Sequence, residues 1–158
     1  MPRLVVVLPL DPLPLGAGWH LNDWPLHVTV APTFVIDAEL PTVVGAVEPV
    51  MRSVPAFTVT AGPDEGFGRS GAIPVSLLEP SPILAGLHRA LLGAIIGIGG
   101  VFDDPEYTGN HYRPHITMTK AARVHPGDRL HLRQATLVDM EPVGAERLRH
   151  VVRSWTLV

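Results

Sequence analysis

Two segments, Leu26-His27-Val28-Thr29-Val30 and Pro114-His115-Ile116-Thr117-Met118, decide how this chain is read. Of its eight histidines, only His27 and His115 have threonine at the second position after them. In each segment an apolar residue separates the polar pair and another follows it. Residues two apart point to the same side of a strand. His27 and Thr29 therefore project together while Val28 and Val30 pack behind them. His115 and Thr117 do the same, backed by Ile116 and Met118. Each strand offers one imidazole and one hydroxyl to a common surface.

The surrounding pattern is that of a small α+β protein. Leu4 to Leu8 is a continuous apolar run and reads as a buried strand. Pro9 to Pro25 reads as a long loop, and His27 to Ala31 as a strand closed by Pro32. Leu40, Val43, Val44, Val47, Val50, Met51 and Val54 recur at helical spacing, with Pro41 suited to a first turn and Pro49 expected to kink or break the helix. Phe57 to Thr60 and Ala72 to Leu78 read as strands on either side of a glycine-rich loop, Gly62 to Gly71. Ser81-Pro82 is an N-cap with proline at the first position. The stripe Ile83, Leu84, Leu87, Leu91, Ala94, Ile95, Ile98 follows and stops at Gly97, Gly99 and Gly100. Asp103 to Tyr112 is a polar loop, His115 to Thr119 a strand, and Leu130 to Met140 and Leu148 to Val158 two more. Two helices and about seven strands result, each half of the chain holding one helix and one H-x-T strand.

Composition narrows the function. The 158 residues suit one domain and are 46% apolar and 17% charged, which is globular rather than disordered. No apolar run is long enough to span a membrane, and Met1 to Leu8 is too short and proline-bounded for a secretory signal. With no cysteine, disulfides and thiolate metal sites are excluded, and a reducing cytoplasm is the expected location. A net charge of −3 argues against gripping long nucleic acid by its backbone. The basic residues lean toward the C-terminal part, where residues 123–158 carry six arginines and four acids.

The chemistry that suits the paired motif is phosphodiester cleavage. One proton must leave the attacking oxygen and another must reach the leaving oxygen. Two histidines titrating near neutrality supply one base and one acid together. Threonine hydroxyls donate to non-bridging phosphate oxygens, where charge sits in the transition state. No metal is required if the nucleophile is a nearby ribose hydroxyl or an activated water.

With motifs 88 residues apart in a chain of this size, the sequence resembles the 2H phosphoesterase superfamily, which includes the RNA 2′,3′-cyclic phosphodiesterases also called 2′-5′ RNA ligases. The specific part of the resemblance is His27-Val28-Thr29-Val30 and His115-Ile116-Thr117-Met118; Pro114 also suits it, whereas Leu26 stands in the corresponding place before His27. The resemblance implies a single bilobal domain over residues 1–158: two pseudo-symmetric lobes, each an antiparallel sheet with a helix, facing across a central cleft. It implies a metal-independent phosphodiesterase acting on 2′,3′-cyclic phosphates or related 2′-linked nucleotides, with His27 and His115 catalytic and Thr29 and Thr117 on the phosphate. The alternatives on the same site are a 2′-5′ RNA ligase, a cyclic-oligonucleotide phosphodiesterase, or a nucleotide- or RNA-binding module without turnover. Expected partners are a nucleotide or RNA end, with no membrane, no obligate protein and no cofactor. The segment Ala121 to Asp128 is short and broken by Pro126 and Gly127, where some members carry more helix, which leaves the substrate class open.

The remaining candidates surround the motifs. Arg113, two residues before His115, is a phosphate contact if the strand extends that far. His111 either lines the cleft or belongs to the loop; its four-residue distance from His115 would suit zinc on a helix, but Pro114 forbids one. Tyr112 and Trp19 are the aromatic side chains chosen as base stackers from a group that also holds Trp24, Phe67 and Tyr107. His88 sits at a polar position of the second helix and is expected to be solvated.

Overall fold

A computed structural model describes residues 1–141 and 147–158. The elements run β1 (Arg3–Pro9), β2 (Gly18–His20), β3 (His27–Val35), α1 (Leu40–Arg52), β4 (Phe57–Phe67), β5 (Ile73–Leu78), α2 (Pro82–Gly97), β6 (Val101–Phe102), β7 (His115–Thr117), β8 (Arg129–Leu132), β9 (Gln134–Asp139) and β10 (Leu148–Thr156), with two 3-10 turns, Pro105–Tyr107 and Gly109–His111. The strands form one sheet in the order β2-β10-β9-β1-β3-β7-β5-β4-β8, with β6 beside β3. The fold is α+β and mostly antiparallel. The two H-x-T strands, β3 and β7, pair with each other at its middle. Outward from that junction lie β1, β9 and β10 on one side and β5, β4 and β8 on the other. These are the two lobes.

Alternation within the strands separates two faces. Leu4, Val6, Leu8, Val28 and Val30 are fully buried in the main core, which also takes in Val43, Val47 and Met51 of α1 and Leu84, Leu91 and Ile95 of α2. Each such side chain contributes about 1.5–3 kcal/mol of transfer free energy. The opposite face of β1 carries Val5 and Val7, which pack with Val138 under Trp19, Trp24 and Met140. His27 and Thr29 project on this second face. Burying the alternate residues on the helical side thus forces the polar pair toward the cleft.

Several boundaries differ from the sequence reading. Strand β3 continues past Pro32 to Val35. The β1–β3 register slips between Leu4 and Val6, opposite Ala31 to Phe34, so Pro32 occupies a bulge where its missing N–H costs no ladder bond. Helix α1 continues through Pro49 and ends at Arg52, within one turn of it. The expected glycine loop is largely strand: β4 runs to Phe67, and only residues 68–71 turn. A Cβ on Gly66 would stand 2.2 Å from the Gly71 carbonyl oxygen, so the tight hairpin excludes any side chain there. Residues 130–140 do not make one strand but two. The chain leaves the ladder at Arg133, β8 pairing with β4 in one lobe and β9 with β1 and β10 in the other.

Ser81 caps α2 as expected, its Oγ accepting the Leu84 N–H at 3.3 Å. His88 departs from expectation. It is 1% exposed, and its buried helical neighbours are Leu84, Leu87, Leu91 and Ile95. No helix among the described residues is long and apolar enough to cross a membrane.

Candidate active site

The β3–β7 register builds the site. Val28 pairs with Ile116 in antiparallel sense. One residue outward on each side, His27 falls opposite Thr117 and Thr29 opposite His115. All four share one face, because both reference residues, Val28 and Ile116, are fully buried behind them. Directly opposed residues have Cβ atoms roughly 5 Å apart and diagonal ones roughly 7–8 Å. The two imidazoles lie on the longer diagonal, with a threonine hydroxyl beside each. That spacing is on the scale of a single bridging group such as a phosphate.

Both imidazoles are held the same way. His27 Nδ1 donates to the Pro25 carbonyl at 2.8 Å, and His115 Nδ1 donates to the Arg113 carbonyl at 2.8 Å. A carbonyl oxygen only accepts, so in each ring the neutral form carries its proton on Nδ1 and leaves Nε2 as a free base. Each ring also meets an aromatic neighbour: Trp24 lies 4.6 Å from His27, tilted by 38°, and Phe67 lies 4.6 Å from His115, edge to face. The hairpin that needs Gly66 is what brings Phe67 to this place.

Burial is the main force on their titration. It pushes His27 below the ordinary histidine value; the Pro25 carbonyl opposes this in part, and the nearby charge of His115 adds to the lowering. His115 is likewise lowered, first by burial and also by Arg113, against the Arg113 carbonyl that supports its charged form. A cation on one ring disfavours a cation on the other, which suits one acid and one base.

Two cavities open onto this surface. The first, about 370 Å³, is lined by His27, Thr29 and Thr117, with Trp24 and Asp104 at its sides. The second, about 590 Å³, reaches His115 and shares Thr29 and Asp104 with the first. His111 and Arg113 line the second cavity. Arg113 is not a free cation, however: it pairs with Glu65 at 2.7 Å and lies 5.1 Å from the centre of the Phe67 ring. Trp19 packs against Trp24 at 5.0 Å and covers Val5 and Val7 rather than lining either cavity. Trp24, not Trp19, lines the first cavity and meets His27.

Tyr112 reaches the second cavity, but one ring face is occupied by His88, stacked at 3.8 Å and 12°. Its hydroxyl donates to the Thr29 carbonyl at 2.7 Å, and burial raises its pKa. His88 in turn donates from Nδ1 to the Val30 carbonyl at 2.8 Å and accepts the Gly109 N–H on Nε2 at 3.0 Å. Helix α2 is thereby tied to the backbone of β3 and to the segment that leads into β7. The helical spacing Leu84, His88, Leu91, Ile95 is the signal that could have placed His88 inside. Glu65 and Asp104 carried no sequence signal of their own.

A family model described as the 2′-5′ RNA ligase superfamily matches residues 15–150. Among solved structures, Escherichia coli LigT complexed with 3′-AMP aligns with a TM-score of 0.64 at 20% identity, covering 99% of this chain and 98% of that one. TT0787 of Thermus thermophilus gives 0.61 at 18% identity, over 98% and 97%. A structure described as a phosphoesterase gives 0.63 at 19%, over 99% and 98%. At these identities the likeness shows the fold. No curated protein is significantly similar in sequence.

Proposed function

The chain belongs to the 2′-5′ RNA ligase superfamily, the 2H phosphoesterases, and from that premise we propose that it hydrolyses a 2′,3′-cyclic phosphate or a related 2′-linked nucleotide phosphodiester, without a metal, acting as one bilobal unit over the whole chain. The observation that carries this reading is the matched pair of imidazoles. Each is pinned through Nδ1 to a backbone carbonyl, with no hydrogen bond on Nε2 among the described residues and a threonine opposite it on the paired strand.

In the proposed step, the neutral Nε2 of one histidine takes a proton from water as the water oxygen bonds to phosphorus. The bond from phosphorus to the ribose 2′ or 3′ oxygen breaks. The Nε2–H of the other, protonated histidine returns a proton to that oxygen. Water and cyclic diester thus become a monoester and a free hydroxyl, and the two histidines exchange protonation states. Thr29 and Thr117 donate to the non-bridging oxygens while charge accumulates there. The binding of a nucleotide by LigT, which aligns over nearly the whole chain, supports a nucleotide as partner.

A phosphorus-NMR time course on nucleoside 2′,3′-cyclic phosphates and 2′-5′-linked dinucleotides, with chelator present, tests the reading. Turnover should persist with chelator, and the new resonance identifies the broken P–O bond. Turnover abolished by chelator would end the metal-free mechanism.

Two further results are expected. Thr29→Val and Thr117→Val keep strand propensity but remove a donor. Each should lower kcat/KM by roughly 10²-fold, about 3 kcal/mol in the transition state; unchanged rates in the folded variants would remove that hydroxyl from the site. The profile of kcat/KM against pH should be bell-shaped. Because both histidines are held below 6.5, the acid form is lost at lower pH than usual, and the alkaline limb should fall below that value. Bound phosphate favours the imidazolium, so the alkaline limb of kcat should lie at higher pH than that of kcat/KM. Coincident limbs would contradict the phosphate lying against the protonated ring.

A further inference from the structure

We propose that the second cavity holds the uncharged, nucleoside part of the substrate and that the carboxylates lining it exclude a second phosphate. The substrate is then a mononucleoside cyclic phosphate rather than an RNA end. This rests on the two-histidine reading above.

The cavity, about 590 Å³, adjoins both Thr29 and His115, so a molecule with its phosphate between the histidines has this space next to it. The volume lies within the roughly 300–1,000 Å³ of sites that enclose a compact organic ligand. Its surface offers apolar and aromatic contact from Phe67, Ile73 and Tyr107, the last two 49% and 63% exposed. Such surfaces suit a base or ribose face and gain nothing from a phosphate.

The charges point the same way. Among the described residues, Arg113 is the one arginine or lysine lining either cavity, and Glu65 neutralises it at 2.7 Å. Asp103, on the first cavity, is bound by Arg3. Asp104 lines both cavities and has no ion-pair partner among the described residues. Arg69 and Lys120 adjoin the lining residues Gly68 and Thr119 in sequence but do not themselves line the cleft. A second phosphate would therefore meet an unpaired carboxylate and no uncommitted arginine or lysine, His111 being the one histidine of the lining outside the H-x-T pair. Ribose hydroxyls and exocyclic amines are donors, and Asp104 and Glu65 can accept from them.

Calorimetric titration of the wild-type protein with adenosine 3′-monophosphate and adenosine 3′,5′-bisphosphate isolates this selectivity from turnover. The monophosphate should bind at least about tenfold more tightly. Glu65→Gln frees Arg113, and Asp104→Asn removes the unpaired charge; each should narrow the ratio, chiefly by tightening the bisphosphate. Equal or tighter binding of the bisphosphate by the wild type, or no binding of either, overturns the proposal. Selectivity retained without hydrolysis of any cyclic phosphate would support the subsite and instead end the hydrolase reading.

Discussion

His27→Ala and His115→Ala are each expected to lower kcat/KM for a cyclic phosphate by about 10²- to 10⁴-fold, the range for loss of a positioned general acid or base. Neither ring belongs to the main core, so the variants should stay folded. The backbone bond is a separate matter, because each ring also holds a carbonyl through Nδ1. Asparagine places an N–H near the Nδ1 position but has nothing at Nε2. His27→Asn and His115→Asn should therefore be as inactive as the alanine variants, with their local structure better kept. Recovery of activity in the asparagine variants would mean that the rings only brace the loops. The double variant should lose little more than either single one, since both groups act in one step. Residual activity carries further information: the variant that loses the alkaline limb of the pH profile has lost the acid, and the one that loses the acidic limb has lost the base. Steady-state kinetics across pH on the four single variants thus assigns the roles that the symmetric geometry leaves equal.

The centre of this molecule was legible in its sequence because a period of two leaves little freedom. Once Val28, Val30 and Ile116 must be buried, His27, Thr29, His115 and Thr117 have one face left to occupy. The pairing of β3 with β7 was not written in either segment alone, since register depends on the strands beyond them. Glycine and proline misled where tertiary contacts overrode their local meaning. Gly66 reads as loop but lies in β4, where Gly71 approaches too closely for any Cβ. Pro32 reads as a strand end but fits a bulge. Residues 130–140 keep strand character throughout, so nothing local announces that the chain passes between lobes at Arg133. Around the site, Arg113 lines the second cavity although β7 begins only at His115, and its charge is committed to Glu65, a partner 48 residues away that only the fold brings near. Nothing local separates Trp19 from Trp24: both pack on the Val5–Val7 cluster, and only Trp24 also meets His27 and lines the first cavity.

His88 carries the second large expectation. Its neutral ring uses both nitrogens, one as donor to Val30 and one as acceptor from Gly109, and one face against Tyr112. His88→Ala removes the ring from a fully buried position and leaves a carbonyl and an N–H without partners. A cavity and unsatisfied backbone groups together should cost about 4 kcal/mol, read as a lower urea midpoint at unchanged slope. A loss under about 1 kcal/mol would mean that water or repacking replaces the brace. The same ring makes stability depend on pH. Burial lowers its pKa below the ordinary 6.5, against the support that the Val30 carbonyl gives the charged form, and Arg89 lowers it further. Protonated Nε2 would also aim a hydrogen at the Gly109 N–H. As pH falls below 6.5, the unfolded chain takes up a proton that the folded ring refuses, so stability is full above that value and declines beneath it. His27 and His115 are lowered as well and act in the same direction. His88→Gln abolishes one titration. Between its folded and unfolded values, the variant's stability should fall less steeply with acid, by up to about 1.4 kcal/mol per pH unit. Parallel curves for the two proteins would show that the buried ring does not resist protonation.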